Sequence, residues 1–544
     1  YHSDWAREGQ PATQELQFGK KIIDTKLGTR GAEQCEPFFE LGIDEPAKEN
    51  EGKVMLGTIG WTGNFRCTFE VDNVGALRII PGINPYASDY VLKAGEVFKT
   101  PEFIFTLSDK GTSQASRNIH DWARRYQLWN GGGTRMTLLN NWENTGFDFN
   151  QESLAQLMKD AKDLGVEMFL LDDGWFGNKY PRKDDHAGLG DWEATKTKLP
   201  GGVPALVKSA QDAGVKFGIW IEPEMVNPKS ELYEKHKNWV IEQPNRKTYY
   251  YRNQLVLDLA NPEVQNYVFG VVDRLMTENP NIAYFKWDCN SPITNIYSPY
   301  EKAQQGNMYI DYVRGLYKVL DRIHAKYPKL EMMLCSGGGA RCDYQALKYF
   351  GELWASDDTD PFERLYIQWS LSKFFPVKAI AAHVTNWNKK TSVKFRTDVA
   401  SMCKLGFDID LKTMSPDDYK YTQGAVANWR RLEGVILDGE QYRLVSPYES
   451  NHAAVDYVSQ DKQKAVVFAY DLHPRYEEPL RNVRLQGLDA NKTYTVKEIN
   501  LMPNTESKLA FNGQRFTGDY LMKVGLGILT FTEGTSHVLE LTAE

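Results

Sequence analysis

No pair of the six cysteines in this 544-residue sequence stands at C-x-x-C spacing. They fall at 35, 67, 289, 335, 342 and 403, a scatter that excludes a zinc framework and a disulfide scaffold. Cys35 with Cys67 is the one pairing left open as a bridge. There is no P-loop and no G-x-G-x-x-G. The glycines at 337–339 follow a strand-like run but have the wrong spacing for a dinucleotide. No stretch of about 18 apolar residues occurs, so no membrane-spanning helix is expected. Positive charge is not in excess. A net charge of −8 and a pI near 5.8 disfavour nucleic-acid or anionic-membrane partners. The only compact cluster of metal-ligand types is Asp184-Asp185-His186, and adjacent residues rarely converge on one ion. No metal and no cofactor is expected. Neither an internal repeat nor a low-complexity tract is present.

Composition otherwise suits a globular protein of about three domains, with 42% hydrophobic and 25% charged residues. Aromatics are plentiful, with 14 Trp and 29 Tyr. Such rings serve as platforms for the C–H faces of sugars, although β-rich domains also bury Trp. The opening Tyr1-His2-Ser3-Asp4-Trp5 has no initiator Met and no signal-peptide pattern. Compartment is therefore open between cytoplasm and periplasm.

Three zones and a linker follow. Residues 1–112 read as an N-terminal β-sandwich. Short β-rich runs at 53–60, 65–71, 76–80 and 101–107 alternate there with Gly, Asn and Pro turns. Residues 113–133 read as a linker helix, with Ile119, Trp122, Ala123 and Tyr126 at helical spacing and Gly131–Gly133 ending it. In residues 134–436, strands alternate with helices, which predicts a parallel sheet. Eight apolar runs, at 136–142, 168–175, 216–222, 283–288, 331–336, 353–357, 378–384 and 406–411, match a (β/α)₈ barrel. A doubly wound sheet is the competing topology. Residues 437–544 return to short antiparallel strands, at 465–470, 493–499 and 537–541, as in a C-terminal β-sandwich.

Nearly every barrel run ends in polar or aromatic residues: Asn141-Trp142-Glu143, Asp172-Asp173, Trp220 to Glu224, Lys286-Trp287-Asp288, Cys335 to Gly338, Ser356-Asp357-Asp358, His383 and Asp408 to Asp410. In a (β/α)₈ barrel these ends share one rim, where active sites of that fold lie. Strand alternation points Lys286 and Asp288 the same way and Trp287 the other. A cation near a carboxylate favours its ionised form. A rim of carboxylates and Trp without a cofactor motif suits glycoside hydrolysis. That chemistry needs one ionised carboxylate and one protonated one. Asp288 beside Lys286 fits the first role. Asp357, with Asp358 and Asp360 close in sequence to raise its pKa, fits the second. Separately, Trp142 and Trp220 have a reading as core residues, Arg252 as a partner of Asp258, and Cys335 as an inert buried thiol. His383 and Asp410 read as supporting groups.

The motifs NNWENTGFDF (140–149), DDGWFG (172–177), GLGDW (188–192), WIEPEMV (220–226), RNQLVLDL (252–259), KWDCN (286–290), CSGGGAR (335–341) and SDDTD (356–360) resemble glycoside hydrolase family 36, the bacterial-type α-galactosidases. GINPY (82–86) and TPEF (100–103) extend the resemblance to the N-terminal zone. It implies a retaining exo-α-galactosidase that removes terminal α-galactose from oligosaccharides of the melibiose or raffinose kind. Asp288 would be the nucleophile that carries a covalent galactosyl group, and Asp357 the acid/base. Trp142, Asp172, Asp173, Trp220, Arg252, Lys286, Asn290, Cys335 and Gly337 would form the galactose pocket. Departures lie at Cys289, Ser291, Ala340 and Cys342. An α-N-acetylgalactosaminidase, a galactosyl-transferring enzyme and a non-catalytic sugar-binding barrel are the alternatives. Members of the family form tetramers in which a longer N-terminal β-domain reaches a neighbour's active site. The chain starts partway through that domain, so subsites completed by a neighbouring subunit are not expected from this sequence.

Overall fold

Continuous apolar runs bury both faces of a strand, so the central strands have to sit between a packed interior and a cover of helices. In the computed structural model, which describes residues 1–544, eight parallel strands close into a barrel. They are β1 (Leu138–Asn140), β2 (Met168–Leu171), β3 (Lys216–Ile221), β4 (Ile282–Trp287), β5 (Glu331–Leu334), β6 (Glu352–Trp354), β7 (Ile380–Val384) and β8 (Lys404–Phe407). Each pairs with the next, and β8 returns to β1 through Gly406 opposite Leu138. A barrel, not a doubly wound sheet, is the topology. The strands end before the rim residues: Asp172 and Asp357 leave the ladder to enter loops, and Trp142 opens the short helix Trp142–Thr145.

Side chains alternate as period two requires. Leu138, Met168, Leu170, Tyr284, Met333, Trp354 and Ala381 pack in one cluster inside the barrel. Phe169, Leu171, Phe217, Phe285 and Trp287 join the larger core beneath the helices. Among the interior groups, Glu352 accepts a hydrogen bond from Tyr284 Oη at 2.6 Å and pairs with the fully buried Lys404 at 3.0 Å. The first covering helix, Gln151–Leu164, starts with an Asn150–Ser153 capping box and stops at Gly165 (φ 92°). Leu154, Leu157, Met158, Ala161 and Leu164 are its buried residues.

The connection from β5 to β6 has no α-helix, only the single 3₁₀ turn Ala346–Lys348. The helix that precedes the barrel covers it instead. That helix runs Gly111–Trp122 and widens into a π turn at Ala123–Gln127. Trp122 stacks on Tyr344 with centroids 6.2 Å apart, and Trp129 N–H reaches Leu347 O at 2.6 Å.

Two three-stranded antiparallel sheets form most of the N-terminal zone. One holds Gly19–Asp24, Phe65–Val71 and Leu77–Ile83, the other Phe38–Ile43, Lys53–Gly60 and Glu102–Ser108. They meet where Phe39 and Phe69 pack edge to face at 4.8 Å. Cys35 and Cys67 are both free thiols, as are the other four cysteines. The C-terminal zone has six antiparallel strands. On Lys464–Asp471, Val466, Phe468 and Tyr470 pack toward the barrel core. Ala465, Val467 and Ala469 pack on the other side, against Val483, Leu485, Leu526 and Ile528. No helix of the structure is long and apolar enough to cross a membrane.

Candidate active site

The ends of the barrel strands enclose a cavity of about 380 Å³, within the ~300–1,000 Å³ range of small-molecule sites. All eleven residues singled out in the sequence line it: Asp288, Asp357, Trp142, Asp172, Asp173, Trp220, Arg252, Lys286, Asn290, Cys335 and Gly337.

Asp288 follows β4 and is 7% exposed. Its Oδ1 accepts the N–H groups of Cys289 at 2.8 Å and Gly337 at 3.2 Å, and its Oδ2 accepts Trp220 Nε1 at 3.2 Å. Gly337 has φ +54°, and a Cβ there would stand 3.0 Å from Arg30 and 3.1 Å from Asn290. A residue without a side chain is therefore needed to aim that N–H. Burial works against the Asp288 charge, but Lys286, Arg252 and the N–H donors outweigh it and hold the carboxyl below its usual range.

Lys286 does not touch Asp288. Its Nζ bonds Asp172 Oδ2 at 2.8 Å, so its effect on Asp288 acts through space. Burial disfavours its charge, and Asp172 more than compensates. Asp172 also accepts Asn140 Nδ2 at 2.6 Å. Asp173 is gripped by Arg182, with Nε at 3.0 Å and Nη2 at 2.8 Å. Arg182 is fully buried and lies outside the cavity, which is why strand-end reasoning missed it.

Arg252 does not pair with Asp258, whose carboxylate accepts Ser298 Oγ and the Ala260 N–H. Both Arg252 and Asn253 sit in left-handed backbone conformation, at φ 50° and 60°. That conformation is uncommon for an arginine. Burial opposes the Arg252 charge, but Glu222, Asp288 and Asp357 raise its pKa. Glu222 lies behind Asp288 and accepts Asn290 N–H at 2.6 Å and Gln254 Nε2 at 2.8 Å. Burial, then the Asp288 charge, pushes it up to about 7. Asn290 Oδ1 and His383 Nε2 are buried without a protein partner. Burial raises the Cys335 thiol pKa, so it stays protonated.

Asp357 follows β6. Trp354 Nε1 donates to its Oδ1 at 2.9 Å and Trp5 Nε1 to its Oδ2 at 3.0 Å. Asp358 and Asp360, expected to crowd it, are turned into a helix cap. Asp358 Oδ1 accepts the Asp360 N–H at 2.8 Å, and Asp360 Oδ1 accepts the Phe362 N–H at 2.9 Å. Burial pushes Asp358 up to about 6. Asp408 lines the cavity and accepts the Glu143 N–H at 2.8 Å. Burial, then Asp172 and Glu143, raises its pKa. Asp410 instead caps the turn Leu411–Thr413. Asp184 and His186 form a surface turn in which the His186 N–H bonds Asp184 Oδ1 at 2.9 Å.

Trp5, Arg30 and Trp387 also line the cavity. The first two come from the N-terminal zone, more than 250 residues from Asp288 in sequence, and no local pattern marks them. The Trp at 5 and at 387 were visible only as part of a general aromatic excess.

Comparison with known proteins covers the whole chain. Residues 97–439 match the Melibiase family model. Residues 1–93 match the glycosyl hydrolase family 36 N-terminal domain, and 452–541 its C-terminal domain. Alpha-galactosidase AgaA of Geobacillus stearothermophilus is 35% identical over 533 residues, 96% of this chain and 70% of the relative. Alpha-galactosidase 2 of Hypocrea jecorina is 35% identical over 538 residues, 96% and 69% of the two chains. A crystal structure of AgaA superposes with a TM-score of 0.93 at 34% identity, over all of this chain and 74% of that one. Variants of AgaA in complex with stachyose and with raffinose give the same TM-score. Three family models in order along the chain, and relatives matched over 96% of it, lead to one conclusion: the chain belongs to glycosyl hydrolase family 36.

Proposed function

We propose that this chain is a retaining exo-α-galactosidase acting on oligosaccharides that end in α-linked galactose. The observation that carries this reading is the unequal treatment of two carboxyls on one cavity. Asp288 is held ionised by Lys286, Arg252 and three N–H donors, whereas the only side-chain hydrogen bonds to Asp357 come from two indoles beside the cavity. A double displacement needs that division of labour. Asp357 gives its proton to the glycosidic oxygen, which leaves with the electron pair of the C1–O bond as Asp288 bonds to C1. The Asp357 carboxylate then takes a proton from water. The water oxygen attacks C1, and the C1–Asp288 bond breaks with its pair returning to the carboxylate. Asp172, Asp173 and Lys286 would bind sugar hydroxyls, with Trp142 and Trp220 as walls. Relatives named α-galactosidase, and the stachyose and raffinose complexes of one of them, support the substrate class. We assign the catalytic barrel to residues 134–436, between an N-terminal β-zone (1–112, linker 113–133) and a C-terminal one (437–544).

Hydrolysis of the 4-nitrophenyl α-glycosides of galactose, N-acetylgalactosamine and glucose, with the product anomer followed by NMR, tests the proposal. Turnover of the galactoside alone with α-galactose formed first is expected. Preference for the N-acetyl sugar, or β-galactose as first product, would overturn the specificity or the retaining mechanism respectively.

A further inference from the structure

Residues 2–10 form a closed hairpin that reaches the barrel rim from the N-terminal zone. His2 and Gln10 exchange backbone hydrogen bonds of 2.9 and 2.8 Å, and the Arg7 N–H reaches Asp4 O at 2.9 Å. Ala6 and Gly9 take left-handed conformations, at φ 64° and 69°. The hairpin is anchored on both sides. The Gly9 N–H donates to Glu36 Oε1 at 3.1 Å. The buried Glu8 packs beneath the glycine loop that follows β5. A Cβ on Gly338 would lie 2.7 Å from Glu8 Oε1 and 2.9 Å from the Asp357 backbone nitrogen. Glu8 and the Asp357 backbone thus flank the same glycine.

This mounting puts the Trp5 indole N–H on Asp357 Oδ2 at 3.0 Å, while Trp354 holds Oδ1 at 2.9 Å. Trp5 is 51% exposed. Its ring meets Trp387 edge-on at 6.1 Å, so core packing does not account for its position. An indole N–H donates and cannot accept. With one on each oxygen, a proton on Asp357 finds no acceptor in either indole and is directed to a group in the cavity. We propose that Trp5 is a positioning residue for Asp357, holding its carboxyl so that the acid proton faces the leaving oxygen and the carboxylate later faces water. This rests on the assignment of Asp357 as acid/base.

The test compares Trp5→Phe, Trp5→Ala and Asp357→Asn with the unaltered enzyme on raffinose and on 4-nitrophenyl α-galactoside, with and without sodium azide. Raffinose requires protonation of its leaving oxygen, whereas 4-nitrophenolate departs with little help. Azide attacks C1 without a general base. For Trp5→Phe we expect kcat on raffinose to fall about tenfold or more, the scale of losing one hydrogen bond to a charged group, with a smaller loss on the aryl galactoside. Azide should restore aryl turnover and yield α-galactosyl azide. Trp5→Ala should behave alike, and both should melt within about 2 °C of the parent because a half-exposed side chain contributes little to stability. Equal losses on both substrates without an azide response would overturn the proposal. So would a raised KM for raffinose at unchanged kcat, which would make Trp5 a contact for the leaving sugar. Asp357→Asn reports on the underlying reading: full activity on raffinose would remove the acid/base assignment itself. Loss of raffinose hydrolysis with azide rescue in Asp357→Asn, but neither in Trp5→Phe, would defeat the inference alone.

Discussion

Two buried aspartates of this chain, Asp288 at the barrel rim and Asp398 under the C-terminal sheet, are treated in opposite ways. Asp398 is completely enclosed. Its Oδ1 accepts Tyr421 Oη at 2.7 Å and Asn500 Nδ2 at 3.0 Å, and its Oδ2 accepts Ser536 Oγ at 2.7 Å and the Lys394 ammonium. Four side chains converge on the carboxylate, and the cluster ties the helix Val393–Ala400 to the last zone. Asp288 has three donors against four, and its surroundings are left open. Arg252 makes no side-chain hydrogen bond that offsets its charge, and Asn290 Oδ1 and His383 Nε2 face no partner. Buried polar groups are normally satisfied, and these two unpaired atoms both line the cavity, where a bound sugar would meet them. The carboxylate of Asp398 ties two regions together, whereas the carboxylate of Asp288 faces a cavity.

Exchanging the two aspartates for alanine separates these roles most sharply. Asp288→Ala should lower kcat on 4-nitrophenyl α-galactoside by about 10⁴-fold or more, with little change in thermal unfolding. Asp398→Ala should cost about 3–5 kcal/mol by stranding Lys394 and its other partners, seen as a lower denaturant midpoint, while kcat of the folded fraction persists. Both variants losing activity and stability together would erase the distinction.

A smaller effect is expected at Arg182. Arg182→Lys replaces a two-pronged grip on Asp173 with a single point charge. Steady-state kinetics should show kcat/KM for raffinose reduced by about 10–100-fold, the cost of a charge-assisted hydrogen bond of ~1.5–3 kcal/mol. An unchanged constant would mean that Asp173 needs no orienting partner.

Carboxyls for which burial outweighs every nearby cation give the comparison a pH dependence. Burial pushes Glu36 from 4.5 up to about 8 and Glu8 up to about 7. A carboxyl whose native pKa is raised binds its proton more tightly when folded. The stability it contributes is complete below about pH 4.5 and is lost as pH rises through the native values. Thermal unfolding should therefore show the parent losing stability between about pH 4.5 and 8, at up to ~1.4 kcal/mol per pH unit for each such group. Glu36→Gln should reduce that loss and be relatively more stable at pH 8 than at pH 5. The same slope in both would place the charge elsewhere. Last and smallest, alanine at Asp184 and His186 should change kcat/KM less than about twofold, as for an exposed turn. EDTA should leave the rate unchanged, whereas inhibition by EDTA would reveal a metal.

How far the sequence could be read depended on the range of the interaction concerned. Barrel strands were legible because apolar runs and their polar ends are local patterns. Lys286 and Asp288 could be placed on one face from period two alone. The ion pair Lys286–Asp172 could not, because it joins β4 to the end of β2, and nothing local says which neighbour an inward Lys reaches. Asp358 and Asp360 looked like neighbours of Asp357, but Asp360 caps the helix Pro361–Leu371 and Asp358 accepts the N–H of that cap. The helix missing between β5 and β6 was equally invisible, since its substitute precedes the barrel by position in the chain.

By itself, then, the sequence determined the periodicities, the strand ends and the chemical character of the rim, because these follow from residue type and spacing. Tertiary structure alone decided which charges meet, that Arg182 grips Asp173, and that Trp5 from the far end of the chain stands on Asp357. The physical reason is that such contacts are set by closing the barrel and docking the N-terminal hairpin onto it. Neither step leaves a local trace in the order of residues.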